Sequence, residues 1–182
     1  MEVDLLMDVF REGHHVLIDL LKDRPHTLGV EVGVLLGQQS YLLLQDLPGL
    51  HTLYSVDPYL AYAGWNPARR RTPEQFDQLY LDTWKALSEF GRRSVLLRAP
   101  SVTVAAMFPD EMFDFIYIDD NHERPFVDRS IAAWRSKIVE GGLFVGHDWC
   151  GRSSWGVKEA VTEAFGEGVV KKASPRTWYV EV

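Results

Sequence analysis

Five short apolar runs punctuate the chain: LGVEVG (28 to 33), LYSVD (53 to 57), VLLRA (95 to 99), FDFIYID (113 to 119) and GLFVGHD (142 to 148). They are mostly too apolar to leave one face in water, so each reads as a strand buried on both sides. Between them lie longer segments with helical spacing, expected at 37 to 46, 73 to 91, 124 to 137 and 155 to 166. Thr72 is placed to cap the second of these, with Pro73 at its first position. Strands that alternate with helices specify an α/β fold, a mostly parallel sheet with helices on both faces. The tail, GVVKKASPRTWYVEV, carries two β runs around Ser174 and Pro175 and is expected to end the sheet as an antiparallel hairpin.

At 182 residues, 46% hydrophobic and 25% charged, the chain suits one domain over 1 to 182, with residues 1 to 24 as an N-terminal helical extension. Asp4, Asp8, Arg11, Glu12 and Asp19 interrupt that extension, unlike a signal peptide or membrane span. Its apolar face over 3 to 21 has two uses, packing on its own domain or on a second copy in a homo-oligomer. The single cysteine, Cys150, excludes an internal disulfide and suits the cytoplasm. With a net charge of −7 and only short, separated basic clusters at 69 to 71 and 171 to 172, a nucleic-acid partner is not expected. A small-molecule ligand is.

In open α/β sheets, ligands bind outside the carboxyl ends of the strands. Here those ends supply Glu31 and Gly33, Asp57, Asp119 through His122, and His147 with Asp148. The first turn, VEVGVLLGQQS, places Gly33 and Gly37 around a bend from strand to helix. It lacks the G-x-G-x-x-G spacing of a dinucleotide site, which disfavours NAD and FAD. Two readings of the glycines stand: close approach of a ligand, or tight packing of helix and strand. Asp57, 24 residues beyond Gly33, either accepts the two hydroxyls of a ribose or starts a turn before Pro58. Asp119, Asp120, Asn121 and His122 either form a polar turn or carry chemistry. Asp119, His147 and Asp148 are candidates to converge on one divalent cation such as Mg²⁺, although His147 suits Mn²⁺ or Zn²⁺ better. The alternative is that Asp148 only hydrogen-bonds to substrate or backbone. The irregular segment 58 to 72, with Tyr59, Tyr62, Trp65 and Arg69 to Arg71, is expected to be a loop above the sheet, and Trp149 a pocket wall.

Together, VEVGVLLGQQS, YSVDPY, FDFIYIDDNHE, KIVEGGLFVGHDW, GVKEAVTEAF and TWYVEV resemble, in the same order, the class I S-adenosylmethionine-dependent methyltransferases. The resemblance is to the small bacterial group called methyltransferase family 24 and covers roughly residues 28 to 182. It implies a Rossmann-like doubly wound sheet and S-adenosylmethionine as cofactor. Glu31, Gly33 and Gly37 would shape the methionine end of its site, and Asp57 would hold the ribose. Related enzymes commonly carry an acid after the third strand that receives the adenine amine, whereas this chain reads LLRAPSVT. Ala99 and Pro100 cannot replace it, which leaves the Ser101 hydroxyl or a backbone carbonyl. One neutral hydrogen bond is worth about 0.5 to 1.5 kcal/mol, or about tenfold in affinity.

The resemblance extends to metal-dependent small-molecule O-methyltransferases. It makes Asp119, His147 and Asp148 the matching metal positions and His122 the base that takes the acceptor's hydroxyl proton. Asp119 serves the cofactor site, the metal or the acceptor itself. The expected activity is therefore O-methylation of a small-molecule hydroxyl. Two alternatives are a noncatalytic S-adenosylmethionine-binding or assembly module and a metal-dependent hydrolase built on His122, His147 and the acids.

Overall fold

The computed structural model describes residues 15–61, 71–149 and 155–182. Seven strands form one sheet: β1 (Leu28–Val32), β2 (Thr52–Val56), β3 (Ser94–Leu97), β4 (Phe113–Ile118), β5 (Ile138–Gly146), β6 (Lys171–Lys172) and β7 (Trp178–Glu181). Their spatial order is β3-β2-β1-β4-β5-β7-β6. The first five are parallel, while β7 runs antiparallel to both β5 and β6. This is the Rossmann-like doubly wound sheet with an antiparallel C-terminal hairpin. The strand order reverses between β1 and β4, the switch point where such sheets open a crevice.

The helices are α1 (residues 15–21), α2 (Gln38–Asp46), α3 (Pro73–Leu87), α4 (Ser101–Ala105), α5 (Phe126–Trp134) and α6 (Val157–Phe165). Alternate residues along the strands feed two cores, as a pleat of period two requires. Val30, Val32, Ile116, Ile118 and Phe144 pack with Ile131 and Trp134 of α5 and Val161 of α6. Leu53, Phe115, Tyr117, Leu143 and Val145 pack with Leu17 and Leu21 of α1 and with Leu43 and Leu44 of α2. α1 thus packs into the core of the sheet, and residues 3–14 of the expected apolar face lie outside the described residues. Among the described residues no helix is long and apolar enough to cross a membrane.

The expected boundaries shift at several points. The long helix starts where Thr72 and Pro73 place it, and Thr72 and Gln75 exchange reciprocal cap bonds. It stops at Leu87, however, and continues as a 3₁₀ segment, Ser88–Arg93, that bends at Gly91 with φ 56°. β5 begins four residues earlier than expected, and the expected helix 124 to 137 is α5 followed by a 3₁₀ turn. The five residues of α4 are too few for a periodic signal. Tyr59 is no part of a cover above the sheet: it is fully buried against Phe76 and Leu79. Tyr62, Trp65, Arg69 and Arg70 lie outside the described residues.

Gly146, the last residue of β5, pairs with Trp178 of β7, whose indole covers the glycine so closely that a Cβ would overlap the ring. Trp178 Nε1 donates to the His147 carbonyl at 3.1 Å, which ties the hairpin to the end of β5. Gly146→Ala should therefore destabilise the protein by about 1 to 3 kcal/mol through overpacking. Gly168→Ala, where nothing lies within 4 Å of the added methyl, should change stability by no more than about 0.5 kcal/mol. Urea unfolding of both variants checks the contrast, and equal effects would contradict it.

Candidate active site

Backbone bonds carry the sheet one residue past its strands and align the polar ends. Gly33 N donates to Val56 O at 2.9 Å, Asp57 N to Leu97 O at 3.1 Å, Asp119 N to Val32 O at 2.8 Å and His147 N to Ile118 O at 3.2 Å. Gly33 and Gly37 have φ of 91° and 73°, in the region where a side chain is strained. A Cβ on Gly33 would overlap the Asp119 carbonyl, and one on Gly37 would lie 2.7 Å from Thr83 Cγ2. In this structure both glycines serve close packing of chain on chain.

Asp57 binds the same turn. Its Oδ2 accepts from Val34 N at 3.0 Å and Leu35 N at 2.9 Å, and its Oδ1 accepts from Tyr59 N at 2.7 Å. Those bonds hold Leu35 at φ 49° and leave about one of the carboxylate's roughly four lone-pair sites.

Glu31 is buried. It is 2% exposed and accepts from the Ser40 hydroxyl, which lies 2.7 Å from the Ser55 hydroxyl. Burial, partly offset by the Ser40 bond, pushes its carboxyl up to about 8, so it is largely protonated at neutral pH.

Ser101 is likewise engaged: its hydroxyl accepts from Trp134 Nε1 at 2.9 Å and sits 3.4 Å from Ser130 Oγ. Ser130 in turn donates to Asp120 Oδ2, while Asp120 Oδ1 is buried without a partner. Burial raises the Asp120 carboxyl to about 7. Asn121 serves the polar turn, accepting from Glu123 N at 2.9 Å.

His122 is the centre of the charged cluster. Its Nε2 lies 2.8 Å from Asp148 Oδ2 and 3.2 Å from Asp119 Oδ1, and Trp155 stacks on its ring at 4.3 Å and 18°. Burial alone would lower the imidazole, but the hydrogen bonds to Asp119 and Asp148 prevail and raise it to about 9. At neutral pH it is an imidazolium, not the neutral base expected. His147 stands beside the cluster, its Nδ1 3.4 Å from Asp148 Oδ1 and 3.9 Å from Asp119 Oδ1. Asp148 is 5% exposed with φ 56°. Burial opposes its charge, yet His122, His147 and Arg176 together hold its carboxyl well below the usual carboxylate range.

Arg176, which no local motif marks, completes the cluster. Its Nε lies 3.1 Å from Asp148 Oδ1, and its Nη2 donates to the same oxygen. The signal is one of register: β7 pairs antiparallel with β5 at Gly146 and Trp178, and two further steps bring Asp148 opposite Arg176. Trp149 N donates to Arg176 O at 3.0 Å, and the Trp149 side chain packs on the apolar core.

One donor atom each from Asp119, His122 and Asp148 lie within 4.8 Å of one another, so His122 takes the place expected of His147 in a metal-ligand set. A divalent ion at these atoms meets an Asp148 carboxylate that already accepts from Arg176 at Oδ1 and faces His122 at Oδ2.

Comparison with known proteins gives a consistent picture. A family model described as a methyltransferase domain, methyltransferase family 24, matches residues 30–149. No curated protein matches the chain. Among solved structures, CalS11, a TDP-rhamnose 3'-O-methyltransferase in calicheamicin biosynthesis, superposes with TM-score 0.59 at 20% identity, covering 99% of this chain and 79% of its own. The O-methyltransferase NovP gives 0.62 at 15%, covering 96% and 78%. The O-methyltransferase from Bacillus cereus, in complex with SAH, gives 0.62 at 13%, covering 94% and 81%. At these identities the likeness is one of fold. Nothing among these findings favours a binding module or a hydrolase.

Because the folded-state value of Glu31 lies above its unfolded one, stability is greatest below the unfolded value of 4.5. It falls by up to about 1.4 kcal/mol per pH unit as pH rises to about 8. Glu31→Gln keeps an acceptor for Ser40 and removes this loss. Chemical denaturation from pH 5 to 8 should show the variant gaining on the wild type as pH rises, whereas a constant difference would contradict the assignment.

Proposed function

The chain belongs to methyltransferase family 24, and from that premise we propose that it transfers the methyl group of S-adenosylmethionine to a hydroxyl oxygen of a small molecule. The observation that carries this reading is the convergence of Asp57, Asp119, His122 and Asp148 on the carboxyl edge of the sheet beside the switch point. The acceptor class follows that of the fold neighbours, among them a TDP-rhamnose 3'-O-methyltransferase. S-adenosylmethionine supplies an electrophilic methyl on sulfonium sulfur, and attack by the acceptor oxygen breaks the carbon–sulfur bond and leaves a neutral thioether. In this reading Gly33 and Gly37 shape the turn at the methionine end, and Asp57 shares its remaining acceptor capacity with the ribose. The adenine amine meets an oxygen of the Ser101, Ser130 and Asp120 chain in place of the carboxylate absent after β3. A single cysteine suits work in a reducing compartment such as the cytoplasm.

The acceptor's proton goes to His122 Nδ1, because Nε2–H is held by Asp119 and Asp148; those two carboxylates orient the ring and stabilise the imidazolium formed when it takes the proton. The same carboxylates make the neutral base scarce at pH 7 and strong when present. The negative charge along this edge also favours a sulfonium nearby.

Titration calorimetry with S-adenosylmethionine and S-adenosylhomocysteine tests the reading, and failure of both to bind would sink it. Asp57→Ala should weaken binding about 10- to 100-fold, as loss of a charged acceptor does. His122→Asn should keep cofactor binding and lower kcat by about 10²- to 10⁴-fold. Since the base must be neutral to act, the wild-type rate should climb with pH, reach half its maximum near 9 and level off above it. A rate flat from pH 6 to 9 would remove His122 from the role.

A further inference from the structure

The geometry points to Arg176 as the resident cation of this site, a guanidinium held against Asp148 where a divalent metal would otherwise bind. The inference rests on the methyl-transfer reading and concerns how the same site balances its charge. Asp148 is nearly closed to water, and its oxygens are already shared out. Oδ1 accepts both Arg176 Nε and Nη2 with His147 Nδ1 at 3.4 Å, and Oδ2 faces His122 Nε2 at 2.8 Å. A carboxylate offers about four acceptor positions, so few remain for a metal, and a dication there would also face the fixed positive charge of a guanidinium.

The pairing is built into the backbone. Antiparallel register sets Arg176 opposite Asp148, Trp149 N bonds to Arg176 O, and the Ser174 hydroxyl accepts from Arg176 N at 3.2 Å and Thr177 N at 3.0 Å. Trp178 then locks the strand over Gly146. Arg176 is therefore a positioning residue: it acts through Asp148, fixing the oxygen that orients the His122 imidazole.

The test is Mn²⁺ titration followed by electron paramagnetic resonance on the full chain. The wild type and Arg176→Lys, which keeps the charge, should leave the free Mn²⁺ signal undiminished. Arg176→Gln should acquire a stoichiometric Mn²⁺ site that Asp148→Asn in the same background abolishes. Wild-type methyl transfer should be unchanged by EDTA. A wild type that takes up Mn²⁺ stoichiometrically overturns the proposal, as does an Arg176→Gln variant that folds by circular dichroism yet takes up none. Calorimetry with S-adenosylhomocysteine on the same samples keeps the two readings apart. Absence of binding to the wild type defeats the methyltransferase assignment, whereas retained binding with an unexpected Mn²⁺ result defeats only the role of Arg176. If Arg176→Gln fails to fold, Arg176→Met carries the same test: stoichiometric Mn²⁺ uptake supports the proposal, and a folded variant that takes up none overturns it.

Discussion

A buried carboxylate persists as an ion only when donors surround it, and the site is arranged around one such group, Asp148. Three cationic or donating side chains meet it: His122 from the loop after β4, His147 from its own strand end and Arg176 from the C-terminal hairpin. Without the hairpin, Asp148 would lose its guanidinium. Without Asp148, the His122 imidazole would keep only its weaker contact with Asp119. The antiparallel addition of β7 to an otherwise parallel sheet is thus what brings the last residues of the chain to the carboxyl edge.

Environment separates the acids of this edge into two kinds. Asp148 is held ionised by its partners, whereas burial raises Glu31 and Asp120 to about 8 and about 7. The crevice is therefore less negative near neutral pH than its residue list implies. Glu31 supports the floor through Ser40 and Ser55, and Asp120 joins Ser130 and Ser101 beneath the start of α4. Negative charge remains where a sulfonium and a hydroxyl proton would have to be managed.

Much of the fold was legible because its signals are local. Continuous apolar runs marked all five parallel strands, and Thr72 with Pro73 marked the start of α3. The doubly wound sheet and its terminal hairpin followed from their order. That the polar strand ends share one edge was legible too, and Asp119, His122 and Asp148 do come together. Less legible was what each side chain touches. Glu31 is buried on the Ser40 hydroxyl, and a Cβ on Gly33 would overlap the Asp119 carbonyl. The charge on His122 depends on two carboxylates from different strand ends, and Arg176 on a pairing register 28 residues apart in sequence. These are long-range contacts, and composition and periodicity carry no record of them.

A crystal structure of the protein soaked with S-adenosylhomocysteine tests the central claim most directly. The account expects the ligand along the carboxyl edge, with its ribose hydroxyls on Asp57 and its sulfur facing the Asp119 and His122 side of the crevice. Such binding would loosen the Asp57 bonds to Val34 and Leu35. A ligand bound away from Asp57, or none at saturating concentration, would contradict the assignment of this edge as a methyl-transfer site.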